Sequence, residues 1–495
     1  MKTDNKSFLS VEIENFGPIE SGSVRVNPLT IFIGRNASGK TYLSLLIYMW
    51  IEVLNRLKYR IPKESIFFDR LESELVQKLP AGYIIPGDKI ELKISGFNEF
   101  MEKFFSNAKF LFELFESVFE CELSELITYS KESAKISYKL RGEKAAVRIS
   151  YTILRDGETP EPEIKIEEGI DSLRVTLDYK DEENFKIYID DLPLSEKVFM
   201  REPVDRRSIL NLIRPLFIEY IKKIFSIKEA VFFPSFRSGL ILSSYRLLAA
   251  ELIHPEGYDG RDLKGKHLLT RSLLSMLIEM SMEKEISKDS MELIKFVQDN
   301  ILRGRLDFED TGTLLQIPEI VFKKDNYEMK LVRSAAMHSE LAPIILYLMY
   351  EYHPDTVLFI DEPEAHLHPG AQREIARLFA RIIHKGNHMV IATHSDYLFS
   401  QINNLVLLGS LDEKQRKELF ERNNWNYDSG EDFITKEDVN VYKFVQIDGT
   451  ETYKVEPVET DENGFIEDEF VDIVLDSVNQ RGEILDVLDK EKSNE

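Results

Sequence analysis

The stretch IFIGRNASGKTYLSLL, residues 31–46, limits this chain more than any other. A β-branched run enters a turn with two glycines, passes Lys40-Thr41, and leaves as an apolar run of helical character. Gly34 and Gly39 allow backbone conformations that a side chain forbids. The N–H groups of Gly34, Arg35, Asn36, Ala37, Ser38 and Gly39 can then curl around an anion, aided by the helix N-terminus that follows. In the spacing Gly-x₄-Gly-Lys-Thr, Lys40 is placed to neutralise β- and γ-phosphates and the Thr41 hydroxyl to hold Mg²⁺. LTIFIG reads as a buried strand and YLSLLIYMWIEVL as a helix, the context such a loop needs. The chain is expected to bind a nucleotide with Mg²⁺ at Thr41.

A second segment supplies the partners. TVLFIDEPEAHLHPGAQREIARLF starts at Thr356, and Val357–Ile360 deliver two carboxylates at the end of a buried parallel strand. Ligands of such sheets bind at strand carboxyl ends. Asp361 is placed to order the metal shell, and Glu362 to act as general base toward an attacking water. Val390–Ala392 form another short strand with Thr393-His394-Ser395 at its tip. His394, about 30 residues after the acidic pair, is a candidate contact to the γ-phosphate or its water. Between lies RSAAMHSELAPIILYLMYEY, where Ser334 to Ser339 form a small-residue turn into an apolar helix.

The rest of the chain is organised around these pieces. At 495 residues it has room for two or three structural units. LSVEIENF and GSVRV read as strands broken by Gly17-Pro18, and residues 42–58 as a helix. FNEFMEKFFSNAKFLFELFESVFECEL places aromatics at helical spacing, a core stripe. AKISYKL, AAVRISYTIL, EIKIEE, LRVTLDY and NFKIYIDDL alternate and predict a small antiparallel sheet. Helical patterns recur near 206–226 and 263–303, with a hairpin over 305–332. No sustained heptads appear, so the insert is expected to be compact, not a coiled-coil arm.

The net charge is −24, and residues 431–495 hold 20 acidic against 6 basic residues. An acidic whole argues against wrapping nucleic acid. The basic stretches 206–223 and 261–271 read as solvated helix faces before nucleic-acid contacts. DENGFIEDEF (461–470) reads as a solvated acidic turn. One cysteine excludes a disulfide framework and a Cys-x-x-Cys zinc site. With no signal peptide and no membrane-length apolar run, a cytoplasmic protein is expected.

Together ENFGPI (14–19), GRNASGKT (34–41), FPSFRSGL (233–240), SAAMHSELAP (334–343), FIDEPEAHLHP (359–369) and ATHSDYL (392–398) resemble the ABC-type ATPase heads of the RecF, SMC and OLD families. The stand-alone bacterial and archaeal AAA-family ATPases of OLD/RecF type are the nearest likeness. It covers 1–60 and about 229–408, and touches the tail through VNVYKFVQIDG. It implies an α/β fold: an ABC-type P-loop head of mixed sheet and flanking helices. Residues 1–60 and 229–408 would be its lobes, 61–228 an inserted α+β arm, 409–430 a linker and 431–495 a small acidic α/β extension. It implies two heads sandwiching two ATP molecules, with 334–340 as the signature, His366–His368 in the D-loop and His394 as the switch histidine. Ala335, Ala336 and Met337 stand where a serine-glycine pair is common, leaving Ser334 or Ser339 to supply the hydroxyl. No glutamine stands out for the Q-loop. Residues 400–495 lack the pattern of a Toprim nuclease, and no Cys-x-x-Cys hook is present. The expected function is an ATP-driven homodimeric switch in genome defence, acting on a separately encoded effector such as a nuclease. A DNA-repair ATPase binding DNA directly and a nucleotide-gated scaffold with little turnover are the alternatives. No membrane partner is expected.

Overall fold

The computed structural model describes residues 8–466 apart from 57–65, 81, 86, 107–110, 120, 143, 157, 180–184, 191, 194–203, 245–267, 283–285, 310–318 and 463. Residues 463 and 467–495 of the acidic tail, and residues 261–267 of the second basic stretch, lie outside that set.

The eleven strands of one sheet carry the architecture: β1 (Leu9–Phe16), β2 (Ile19–Val26), β3 (Leu29–Ile33), β4 (Ser133–Arg141), β5 (Ala146–Leu154), β6 (Glu163–Glu168), β7 (Glu229–Phe233), β8 (Thr356–Asp361), β9 (His388–Ala392), β10 (Val439–Gln446) and β11 (Tyr453–Pro457). Their spatial order is β7-β8-β9-β3-β10-β11-β2-β1-β4-β5-β6. From β7 through β10 neighbouring strands are parallel. β3, β8 and β9 are buried at every residue, as parallel strands covered on both faces must be. Alternate residues serve two cores. Val357 and Phe359 face one core with Phe32 and Val390. Leu358 and Ile360 face the other with Ile31 and Ile391.

Helices α1 (Lys40–Arg56), α2 (Ala336–Tyr350), α3 (Pro369–His384) and α4 (Asp396–Gly409) flank this sheet. α1 fills the first core; α2, α3 and α4 fill the second. Among the described residues no helix is long and apolar enough to cross a membrane.

Two pairings differ from the sequence expectation. β4, β5 and β6 do not make a small sheet of their own; β4 pairs with β1, so they prolong the main sheet. The segments 172–179 and 185–189 instead join 89–95 and 192–193 in a separate four-stranded sheet. Alternation fixes which face a residue takes but not which strand lies beside it. The tail also enters the main sheet, with β10 lying parallel to β3, Val441 opposite Ile31. Residues 409–430 hold a helix, Glu413–Asn423.

The aromatic stripe is core. Phe97, Phe100, Phe104 and Phe105 are buried, and Phe67 packs edge-on against Phe217 at 4.8 Å. In the helix Arg206–Ile224 the apolar side chains Ile209, Ile213, Phe217 and Ile221 are buried while Arg207 and Lys223 are exposed, a solvated basic face.

α1 is locked to the antiparallel half by Trp50, fully buried and stacked on Tyr138 of β4 at 4.4 Å and 14°. Trp50→Ala should therefore lower stability by about 3–5 kcal/mol in denaturant unfolding. Trp50→Phe keeps a ring there and should lose far less. Equal midpoints for Trp50→Ala and the native chain would show that this contact does not bear the join.

Candidate functional site

The turn after β3 takes its shape from three positive φ angles, at Gly34 (135°), Ala37 (61°) and Gly39 (103°). A Cβ on Gly39 would meet Ile19 Cγ1 at 2.9 Å and Pro18 Cγ at 3.0 Å, so the Gly17-Pro18 turn presses on the loop from below. A Cβ on Gly34 would meet Phe444 of β10 at 3.2 Å. Arg35, Asn36 and Ala37 are exposed at the rim, whereas Ser38 is buried and its hydroxyl has no partner among the described residues. Lys40, 8% exposed, turns its ammonium back to donate to Gly34 O (2.8 Å) and Arg35 O (2.7 Å). The result is a concave ring of backbone with a cation at its centre, the chemistry of a phosphate cradle.

The two sequence motifs meet here across 320 residues. Thr41 Oγ1 donates to Asp361 Oδ2 at 2.9 Å. Asp361 ends a fully buried strand, and burial pushes its carboxyl up to about 6 against the pull of the Thr41 hydrogen bond, Arg237 and Lys40. Glu362 leaves the strand with φ of 47°, its N–H donating to Ala392 O at 2.8 Å, which turns its half-exposed carboxylate toward the tip of β9. There His394 Nδ1 lies 3.8 Å from Glu362 Oε1. Lys40, Thr41, Asp361, Glu362 and His394 thus gather at the ends of β3, β8 and β9.

Ser334 and Ser339 are placed differently. Both hydroxyls donate to Leu331 O, at 2.7 and 3.5 Å. Ser339 is 4% exposed, so a bulky charge there would load the subunit's own core before reaching any neighbour. α2 starts after Ala335 with no side-chain cap. His366 has φ of 57°, and His368 caps α3 by accepting from Gly370 N at 3.1 Å. Among the described residues no three His, Cys, Asp or Glu side chains cluster as a metal cage.

Three side chains complete the site without having stood out in the sequence. Arg237, with no exposed surface, donates to Asp361 O (2.7 Å), Glu362 O (3.1 Å), Pro234 O and Glu340 O (both 3.0 Å). Its Nη2 lies 3.1 Å from Glu340 Oε1, a charge contact without the alignment of a hydrogen bond. Burial pulls the guanidinium below its ordinary value, opposed most by Glu340. Glu364 Oε1 accepts from Thr393 Oγ1 (2.7 Å) and from His394 N (3.0 Å). The available signals were a lone arginine in FPSFRSGL, a lone acid opening an apolar helix, and a third carboxylate in DEPE.

The parallel strands, the glycine loop between β3 and α1, and the acidic end of β8 define an ABC-type P-loop fold. Residues 344–400, which hold Asp361, Glu362 and His394, match the family described as "AAA domain, putative AbiEii toxin, Type IV TA system". No curated protein matches the chain. Among solved structures the chain is similar to an SMC head bound to the C-winged-helix domain of ScpA (TM-score 0.39, 12% identity, 91% of this chain and 97% of that one). It is also similar to the SMC head domain from Thermotoga maritima (TM-score 0.35, 11% identity, 91% and 98%). A third is an Smc head with an extended coiled coil, bound to the C-terminal domain of ScpA from Pyrococcus furiosus (TM-score 0.37, 11% identity, 95% and 98%). At such scores the class rests on the chain's own sheet order and loops.

Removing one partner of a buried ion pair strands the other. Arg237→Ala should cost about 3–5 kcal/mol in denaturant unfolding, and adding Glu340→Ala should recover part of the loss. A double variant as unstable as the sum of the two single variants would show that the charges do not compensate one another.

Proposed function

We propose that the chain binds Mg-ATP and hydrolyses it, and that two copies close on ATP and open on hydrolysis. The observation that carries this is the 2.9 Å contact between Thr41 and Asp361, which sets the glycine loop against the acidic strand end and His394. The residues fit the ligands. The loop offers converging N–H groups, the orphaned Ser38 hydroxyl and one ammonium; Thr41 and Asp361 offer the hard oxygen donors that Mg²⁺ prefers. Bound there, Mg²⁺ would neutralise charge on the β- and γ-phosphates.

In this scheme Lys40 leaves the carbonyls of Gly34 and Arg35 for the phosphates. Glu362 takes a proton from the attacking water, and its half-exposed side chain keeps it within reach of that water. His394 holds the γ-phosphate or the water in line. Residues 1–60 and 229–408 form the head in this proposal, with 133–168 extending its sheet. The arm within 61–228 and the tail 431–495, beyond a 409–430 linker, transmit the state of the site. The match over 344–400 to a family described as a putative type IV toxin–antitoxin toxin is in keeping with a role in genome defence, and we take the chain to be the ATP-dependent regulator of a separately encoded effector such as a nuclease. A nucleotide-gated scaffold with slow turnover is the second reading. It is favoured by Ala335–Met337 in the signature position and by serine hydroxyls held within their own subunit.

Lys40→Ala should abolish Mg-ATP binding in a calorimetric titration while leaving the fold intact; native affinity in the folded variant would remove the loop from the mechanism. Glu362→Gln keeps shape and loses the base, so single-turnover hydrolysis should fall by about 10²–10⁴ with binding retained. The same variant held in Mg-ATP should be a dimer or larger by light scattering, twofold pairing being the commonest closed assembly. A monomer in saturating ATP at micromolar concentration would end the two-head mechanism.

A further inference from the structure

His394 has a side chain 45% exposed, and no ring hydrogen bond fixes it among the described residues. A half-exposed imidazole that must meet a phosphate needs something to hold it. The turn after β8 supplies one. Glu364 sits in that turn with its side chain 6% exposed, and its Oε1 is the meeting point of three groups on the neighbouring loop. Thr393 Oγ1 donates to it at 2.7 Å, the His394 backbone N–H donates at 3.0 Å, and His394 Nδ1 lies 3.4 Å away. Thr393 Oγ1 in turn accepts from Ser395 N, so the carboxylate holds all three residues of the tip. From the other side Ser395 Oγ donates to Gln372 Oε1 at 2.8 Å, on the helix after the His368 cap.

Glu364 Oε2 is buried without a hydrogen-bond partner among the described residues, and a carboxylate left half satisfied in the interior costs stability. On the strand side the Arg237 guanidinium, which already holds the Asp361 and Glu362 carbonyls, acts on Glu364 through its charge. The Glu362 and Glu364 side chains approach His394 from one turn, at 3.8 and 3.4 Å.

We infer that Glu364 is a positioning residue: it fixes the His394 backbone and ring relative to Glu362, so that base and imidazole face the γ-phosphate as one unit. This rests on the hydrolytic reading of the site, and it makes the second glutamate of DEPE act through His394 alone. A misplacement of about 1 Å at such a site costs on the order of 10²-fold in rate. Glu364→Ala should therefore lower kcat about 10- to 100-fold, while the Mg-ATP dissociation constant stays within about twofold. Glu364→Gln keeps an acceptor at the Oε1 position and should retain most of kcat. Placed on His394→Ala, Glu364→Ala should cause no further loss, because residues acting as one unit are non-additive.

The full chain, purified without nucleotide and labelled at histidine, gives a readout free of turnover. The ring resonances of His394, assigned from their absence in His394→Ala, should shift and broaden in Glu364→Ala and stay near their native place in Glu364→Gln. A native kcat in Glu364→Ala, a further loss in the double variant, or unmoved His394 signals would each overturn the inference. Should Glu364→Ala fail to fold, a Glu364→Gln that loses as much kcat as His394→Ala would overturn it too. A native chain that binds ATP without hydrolysing it strikes the hydrolytic reading instead, and the ring signals still decide the role of Glu364.

Discussion

A guanidinium with no solvent contact holds the acidic end of this sheet in place. Arg237 joins three segments: the turn after β7, the second turn of α2 at Glu340, and the end of β8 at Asp361 and Glu362. Backbone carbonyls at a strand end need donors once water is excluded. Here a single planar side chain provides them, and its rigid fork suits several acceptors at once better than an ammonium would. The strand end is thereby fixed before any ligand arrives. Glu362, in a left-handed conformation that a non-glycine residue adopts only under constraint, keeps its direction for the same reason.

The site is also organised against itself. Lys40 and Thr41 are not idle in the free protein: one caps two carbonyls of its own loop, the other leans on Asp361. These internal partners satisfy groups that would otherwise sit half-buried and unpaired. The loop therefore holds its shape through contacts of its own, which a polyphosphate of the kind proposed would have to displace.

How much of this could be read from residues alone depends on how local the physics is. β3, β8 and β9 were legible because strands covered on both faces become short unbroken apolar runs, and the loop was legible because only glycine tolerates its backbone. The aromatic helix at Phe97–Ser106 announced its buried face by spacing. Strand neighbours were not legible. β4 shows the same alternation whether it pairs with β1 or with a strand of a separate sheet, and nothing in VNVYKFVQ says that it will lie against β3. Arg237, Glu340 and Glu364 escaped for a related reason: their meaning lies in what folds over them. Ser339 shows the converse, since its sequence position invited a surface role and its burial gives the hydroxyl to Leu331.

The placement of β3 has a consequence for how the chain is made. Its two hydrogen-bonded neighbours are β9, at 388–392, and β10, at 439–446, both in the last quarter of the sequence. The strand that carries the glycine loop therefore leaves the ribosome roughly 350 residues before either flank exists, about 20 to 70 seconds at ordinary elongation rates. During that interval its apolar run has no sheet to join, while β1 and β2, which pair with each other, can close early. The glycine loop is synthesised long before the two strands that wall it. A nascent or truncated chain that stops before these two strands would carry the loop's sequence without its cradle.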